Sequence, residues 1–216
     1  MRDTDVTTNK VRLSYVHLAA PYSNDPDTAP KFSTTVLVSK SDTASIQRIK
    51  AAIAAAKASG VAKKWGGRVP AVLNLPVYDG DGVRPNGESF DDACKGCYVF
   101  TASSGSERPP QVVDSALNPI INKNTVYSGC YARVNVSFFP YDSKGRRGIG
   151  CGLNAVQFVA DGEPLGTTVS VADAFGAPDT DIAAGAPDTG IAAGEPANTV
   201  TGAPQIDPLT GMPYGV

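Results

Sequence analysis

A repeat rich in glycine and proline fills the last 41 residues and confines a folded core to the residues before it. Its period is nine, because Gly176-Ala-Pro-Asp is followed by Gly185-Ala-Pro-Asp and then by Gly194-Glu-Pro. Residues 176–216 hold 7 Gly, 6 Pro and few large apolar side chains, so burial cannot offset the entropy of ordering them. A calcium-binding β-solenoid is disfavoured because its Gly-Gly-x-Gly-x-Asp pattern is absent. We predict one folded domain over 1–175 and a disordered tail over 176–216.

Charge divides the chain at nearly the same place. Residues 1–160 carry all 19 Lys and Arg but only 13 Asp and Glu, a net charge of +6. Residues 161–216 carry 8 acidic residues and no Lys or Arg, a net charge of −8. The overall charge of −2 therefore averages a basic domain and an acidic tail, and the domain is compatible with a nucleic-acid partner.

Hydropathy and cysteine content indicate where the chain folds. The most apolar run, residues 51–56, is far shorter than the roughly 20 residues that cross a bilayer, so we expect no membrane span. The first ten residues lack the apolar core of a secretory signal, which predicts a reducing cytoplasm. Disulfides between the four cysteines are therefore not expected.

The basic domain is predicted to be mainly β, with one helix. The helix spans 42–59, with Ser41 as its N-cap and Gly60 at its end, and it buries a stripe formed by Ile46, Ile49 and Ile53. Strand patterns separated by turn-rich loops cover residues 11–18, 32–39, 98–103, 126–139 and 149–159. Five strands and one helix fit a small barrel.

The longest strand pattern carries the strongest functional signal. Its even positions, from Val126 to Phe138, are small or apolar and form a plausible inner face. Its odd positions place four aromatic residues, an arginine and an asparagine on the opposite face: Tyr127, Tyr131, Arg133, Asn135, Phe139 and Tyr141. Unpaired bases stack on aromatic rings for about 1–3 kcal/mol each, while Lys and Arg neutralise phosphates. We therefore predict that Tyr127, Tyr131 and Arg133 bind a single strand, the alternative being that this face packs against the helix or a homodimer partner.

Further cations extend the predicted nucleic-acid interface. One cluster surrounds the only tryptophan and consists of Lys63, Lys64, Trp65 and Arg68. Alternation places Lys10 and Arg12 on the exposed side of the first strand, and the turn between the last two strands forms a basic finger with Lys144, Arg146 and Arg147. Each group has a plain alternative, namely a Trp that seals the barrel and solvated surface charges.

Motifs for metal binding, cofactor binding or catalysis are weak. Cys94-Lys-Gly-Cys97 has the spacing of half a zinc site, but Cys130 and Cys151 stand alone. The turn that begins at Asp79 lacks the later ligands of an EF-hand, and no nucleophile motif, phosphate-binding loop or dinucleotide fingerprint is present. We expect no metal, no cofactor and no enzymatic activity.

Taken in order, six segments resemble the bacteriophage single-stranded-DNA-binding proteins that were long catalogued as a phage domain of unknown function. They cover essentially the whole basic domain and read Lys10-Val-Arg-Leu-Ser-Tyr15, Ser39-Lys-Ser-Asp42, Leu75-Pro-Val-Tyr-Asp-Gly-Asp81, Arg108-Pro-Pro-Gln-Val-Val-Asp114, Val126-Tyr-Ser-Gly-Cys-Tyr131 and Gly148-Ile-Gly-Cys-Gly-Leu-Asn-Ala-Val-Gln157.

The resemblance implies an OB-fold, a five-stranded oligonucleotide-binding barrel. It also implies sequence-tolerant binding of single-stranded DNA during phage replication or recombination, in the cytoplasm of the infected bacterium. In that family an acidic C-terminus competes with DNA and recruits replication proteins, and the tail charge of −8 agrees with this role. The acids here are thinly spaced, and the chain ends with Gly211-Met-Pro-Tyr-Gly-Val216 instead of a tight acidic run. A virion structural or decoration protein with a repetitive appendage is the alternative.

Overall fold

The structure of the protein, a computed structural model, describes residues 2–84, 86–143 and 145–166. The tail predicted over 176–216 lies outside the described residues. Within them the chain forms one α-helix, α1 (Thr43–Lys63), and eight strands: β1 (Asp5–Thr7), β2 (Val11–Tyr22), β3 (Lys31–Ser39), β4 (Val77–Asp79), β5 (Cys97–Gly105), β6 (Gln111–Val113), β7 (Tyr131–Ser143) and β8 (Arg146–Ala160). Short 3-10 helices cover Asp92–Cys94 and Lys123–Thr125.

Five of the strands close into a barrel in the order β7, β2, β3, β5 and β8. Neighbouring strands are antiparallel except at the junction of β5 and β8, where Ser103 pairs with Gly152 in parallel. The long β7–β8 hairpin completes the ring, and the short strands β1, β4 and β6 extend it at its edges. This architecture confirms the predicted OB-like five-stranded barrel with one helix.

Alternating side chains fill the barrel, as the sequence pattern predicts. Val134, Val136 and Phe138 of β7 are buried, and the Phe138 ring packs 6.1 Å, centroid to centroid, from Phe100 of β5. Helix α1 adds Ile49 to the same core. The isoleucine stripe is confirmed, since the other two members, Ile46 and Ile53, are partly buried against this core.

Helix α1 differs from its prediction at both ends. Asp42, not Ser41, is the N-cap, because its carboxylate accepts a hydrogen bond from Ser45 N at 3.1 Å. Gly60 lies inside the helix and is buried. A Cβ there would lie 2.6 Å from the Trp65 ring, so glycine is required by the close approach of that ring and not by a helix end.

Strand β7 begins at Tyr131, five residues later than the predicted start at Val126. The chain turns at Gly129, whose φ of +116° is accessible mainly to glycine. Ser128 contacts β2, because its hydroxyl oxygen accepts a hydrogen bond from Val16 N at 3.1 Å.

Among the described residues, no helix has the length and hydropathy of a membrane span.

Candidate nucleic-acid interface

An open groove of about 800 Å³ crosses the outside of the barrel. Its floor comes from β3 and β5, whose outward side chains at this level are the small residues Thr35, Thr101 and Ser103. The hydroxyl oxygens of Thr35 and Thr101 lie 3.1 Å apart. Counted along the chain, β3 and β5 are the second and third of the five barrel strands. In OB-folds, the second and third strands form the face that binds oligonucleotides. The floor leaves room for a flat ligand above it.

One wall of the groove is built from aromatic rings of β7 that lie over glycines of β8. Phe139 pairs with Gly150, and Tyr141 pairs with Gly148. A Cβ on Gly150 would lie 2.6 Å from Phe139 Cζ, and one on Gly148 would lie 2.6 Å from the Tyr141 hydroxyl oxygen. The missing side chains let both rings lie down across β8 instead of standing away from the sheet. Phe139 remains 47% exposed, so its ring is open to a stacking partner.

Tyr15 forms the wall on the opposite side of the floor. Its φ of +47° is unusual for a residue with a Cβ, and a register shift follows between Ser14 and His17. Strict alternation from Val11 and Leu13 would have placed Tyr15 in the core. The irregular backbone turns it outward, where it is 56% exposed.

Strand β4 and the segment that follows it supply a third aromatic group. Tyr78 and Phe90 lie 6.3 Å apart, centroid to centroid, in a tilted pair, and both line the groove. The Arg84 guanidinium lies over the Phe90 ring with Cζ 5.3 Å from its centroid. Lys40 holds the segment in place through ion pairs of 2.6 Å with Asp79 and 2.6 Å with Asp81.

Charge in the groove is moderately positive. Among the residues that the structure describes, its lining carries two cations, Lys31 and Arg84, and one acid, Asp91. The Asp91 carboxylate accepts hydrogen bonds from the Tyr15 hydroxyl at 2.9 Å and from Arg84 at 3.2 Å. The hydrogen bond to Asp91, followed by partial burial, raises the pKa of the Tyr15 hydroxyl.

A second cavity of about 430 Å³ continues the groove along β2 and shares Tyr15, Thr35 and Thr101 with it. There the rings of His17 and Tyr22 stack at 4.4 Å with an interplanar angle of 14°. The combined surface offers aromatic faces from Tyr22 at one end to Tyr141 at the other.

The tyrosines predicted at the start of the long strand face a different part of the molecule, where residues 161–165 cover them. The single Tyr127 hydroxyl proton has two acceptors within hydrogen-bond distance, Asp161 Oδ1 at 3.0 Å and the Gly162 carbonyl at 2.9 Å. Tyr131 lies beneath Lys10, whose Nζ is 5.1 Å from the ring centroid. A Cβ on Gly162 would be 3.0 Å from the Tyr131 ring, so the covering segment passes close to it.

Lys10 and Arg12, the cations beside these tyrosines, have partners within the domain, while Arg133 stays exposed. Arg12 donates to the Gly129 carbonyl at 3.2 Å and to the Glu163 carbonyl at 2.6 Å. Within the described part of the chain, Arg133 makes only long hydrogen bonds, of 3.4 Å each, to Thr8 O and Gln157 Oε1. It remains a candidate phosphate contact on the outer face of β7.

Trp65 is corrected from a stacking residue to a core residue. It is only 5% exposed, its ring packs on Gly60, and its indole Nε1 donates to the Tyr141 carbonyl at 3.2 Å. A fully packed ring has no free face for a base. Its predicted neighbours Lys63, Lys64 and Arg68 are exposed at the end of α1 and just after it.

The predicted basic finger adjoins the groove. Ser143 lines the groove and pairs with Arg146, which is exposed. Arg147 is also exposed and forms an ion pair of 2.8 Å with Asp142. Lys144 lies outside the described residues. Within the same described ranges, no group of three His, Cys, Asp or Glu side chains is placed to hold a metal ion.

The groove therefore contains residues that the sequence prediction did not select as binding residues: Tyr15, Lys31, Tyr78, Arg84, Phe90, Phe139 and Tyr141. Phe139 and Tyr141 were recognisable, because they share the outward face predicted for the long strand. The glycines at 148 and 150 opposite them were a second signal, since a strand rarely omits side chains unless another group occupies the space. Tyr15 had no such signal, because its outward direction depends on the backbone irregularity.

Comparison with known proteins identifies relatives in phages. The sequence model of the family described as "Enterobacter phage Enc34, ssDNA-binding protein" matches residues 4–185. Protein p50 of Acyrthosiphon pisum secondary endosymbiont phage 1 is 30% identical over 165 residues, which are 72% of this chain and 83% of p50.

Solved structures agree with this family match. The single-stranded DNA-binding protein from bacteriophage Enc34 in complex with ssDNA has a TM-score of 0.64 at 25% identity, covering 76% of this chain and 91% of that chain. Bacteriophage T7 gp2.5, also a single-stranded DNA-binding protein, has a TM-score of 0.53 at 16% identity and supports the fold alone, over 88% of this chain and 98% of its own. These findings confirm the resemblance stated from the sequence: the chain belongs to the family of the Enc34 single-stranded DNA-binding protein.

Proposed function

We propose that this protein binds single-stranded DNA in a sequence-tolerant manner, with the groove over β3 and β5 as its binding surface. The observation that carries the proposal is the set of exposed rings around a floor of small side chains, led by Phe139 and Tyr15. Every base presents a flat face, so rings in this arrangement bind without reading sequence. The relatives named as single-stranded DNA-binding proteins support the same function.

Cations along and beside the groove are proposed to hold the phosphates. Lys31 and Arg84 lie in the groove, and Arg146 extends the positive charge from its end at Ser143. Exposed cations of the sequence prediction, Arg133 and the group Lys63, Lys64 and Arg68, add candidate contacts outside the groove.

Fluorescence anisotropy with labelled oligo-dT, compared with a duplex of the same length, tests the binding function. We expect tighter binding of the single strand and a log–log salt slope of about −0.7 for each phosphate neutralised. Equal affinity for the duplex, or an affinity independent of salt, would reject the proposal. Size-exclusion chromatography of the same sample distinguishes a monomer or homodimer from the large assemblies of a virion decoration protein.

The acidic tail is proposed to compete with DNA for the groove. Leu165 packs against Leu37, Cys94 and Val99, and the last two also line the groove. After Gly166, residues 167–216 contain 6 Asp and Glu but no Lys or Arg. The packing of Leu165 beside the groove and the acidity of the sequence that follows it support this proposal.

A charge-neutral tail tests this competition at constant chain length. Replacing the six acidic residues after position 166 by Asn or Gln should tighten oligo-dT binding at low salt, and the gain should fade at high salt as screening increases. Unchanged or weaker binding at low salt would show that the tail does not compete. A second comparison, truncation before Gly176, separates charge from chain length.

A role in phage DNA replication or recombination, in the cytoplasm of the infected host, is proposed from the family. The same tail would recruit replication proteins. Co-purification of phage replication proteins with the full-length chain, and their loss from the chain truncated before Gly176, is the expected result. Equal recovery with both forms would remove the tail from recruitment.

A further inference from the structure

Asp91 places a negative charge inside a groove proposed to bind a polyanion. Its side chain is 54% exposed, and its Oδ2 atom accepts from both Arg84 at 3.2 Å and Tyr15 at 2.9 Å. A carboxylate oxygen that accepts a guanidinium and a hydroxyl donor uses the same donors that a phosphate oxygen would use.

The Arg84 side chain and backbone are held in place in a way that suits anion binding. Its guanidinium is supported on one face by the Phe90 ring, with Cζ 5.3 Å from the ring centroid, which fixes the plane of its donors. Its backbone is held in a tight loop, because Arg84 N donates to Glu88 O at 2.7 Å and Gly87 N donates to Arg84 O at 2.9 Å. Arg84 and Asp91 both line the groove.

We propose that Arg84 and the Tyr15 hydroxyl form a phosphate-binding subsite of the groove, and that Asp91 occupies this subsite in the free protein. The inference rests on the proposed single-stranded DNA binding and adds to it a specific exchange. A backbone phosphate replaces the Asp91 carboxylate on Arg84, while Tyr15 keeps its ring against a base.

Two neighbouring aspartates provide a matched test. Asp92 is next in the chain and pairs instead with Lys95 at 2.6 Å, outside the set of residues that line the groove. Asp91→Asn and Asp92→Asn remove the same charge from nearly the same place, so long-range electrostatics change equally. We expect Asp91→Asn to bind oligo-dT about two- to fivefold more tightly than Asp92→Asn, the range expected for losing one exposed ion pair.

Arg84→Gln completes the test. This variant should flatten the log–log salt slope by about 0.7, the value for one phosphate contact. In the Arg84→Gln background, Asp91→Asn should bind no more tightly than Asp92→Asn. Circular dichroism confirms that each variant is folded.

The outcomes separate this inference from the proposed function. If the unmodified protein binds oligo-dT but Asp91→Asn equals Asp92→Asn, the subsite assignment is wrong and the groove proposal stands. Weaker binding by folded Asp91→Asn would also overturn it, because the carboxylate would then contact the strand itself. An unchanged salt slope for Arg84→Gln overturns it independently of the Asp91 variants. Failure of the unmodified protein to bind rejects the proposed function.

Discussion

Two aromatic surfaces of this barrel share β7 but differ in what covers them. Near the start of the strand, Tyr127 and Tyr131 contact residues 161 and 162, and their neighbour Arg12 donates to the backbone carbonyls of Gly129 and Glu163. Near its end, Phe139 and Tyr141 lie over glycines and face an open groove. Aromatic residues on a sheet face therefore do not identify a binding surface by themselves. The covering chain decides which rings are free for a ligand.

The largest expected contrast is between Phe139→Ala and Tyr131→Ala. Loss of a ring that stacks on a base should cost about 1–3 kcal/mol of oligo-dT binding free energy, so Phe139→Ala should weaken binding by that amount. Tyr131→Ala should weaken it less, because its ring already contacts Lys10 and the segment at Gly162. Anisotropy titrations of both folded variants measure the difference. Equal losses, or a larger loss for Tyr131→Ala, would show that the surface around Tyr127 and Tyr131 takes part in DNA binding.

Mutations should affect stability in the opposite order, with a larger loss at Arg12, beside Tyr127 and Tyr131, than at Phe139 in the groove. Arg12→Met removes the charged donor to the carbonyls of Gly129 and Glu163, and hydrogen bonds to charged groups contribute about 1.5–3 kcal/mol. In Arg12→Met, the free energy of unfolding measured by urea titration should decrease by an amount within that range or somewhat below it. Phe139→Ala, with its ring half exposed, should lose less. Comparable values would mean that the segment at 161–165 is not held by Arg12.

The smallest expected effect comes from a pair of glycines on one strand. A Cβ at Gly150 would lie 2.6 Å from the Phe139 ring, whereas one at Gly152 would lie 3.6 Å from it, an ordinary contact. Gly150→Ala should therefore shift the ring and weaken oligo-dT binding by a fewfold, while Gly152→Ala should not. Binding titrations at one salt concentration suffice. A matching loss in both variants would mean that ring position is not set by these glycines.

Sequence reasoning predicted the fold well because the barrel depends on local patterns. The alternation of β7 and the isoleucine stripe of α1 are both short-range signals of burial. The ends of elements were less predictable, since they depend on distant partners. Gly60 lies inside the helix with Trp65 packed on it, and Asp42 caps the helix in place of Ser41.

The candidate site was predicted only in part, for a physical reason. Strand alternation identifies which face a residue occupies, and so it placed Phe139 and Tyr141 on the outward face without selecting them as binding residues. It cannot show that residues 161–165 return to cover Tyr127, because that contact joins positions 34 and 35 residues apart. Nor can it show that a backbone irregularity turns Tyr15 outward, since strict alternation predicts the reverse.

Photo-cross-linking of an iodouracil-substituted oligo-dT, followed by trypsin digestion and mass spectrometry, tests the central claim most directly. Trypsin separates the two surfaces, because residues 124–133 contain Tyr127 and Tyr131 whereas residues 134–144 contain Phe139 and Tyr141. Residues 13–31 report on Tyr15 and Tyr22. We predict cross-links in 134–144 and 13–31. Cross-links confined to 124–133 would contradict the assignment of the groove as the DNA-binding surface.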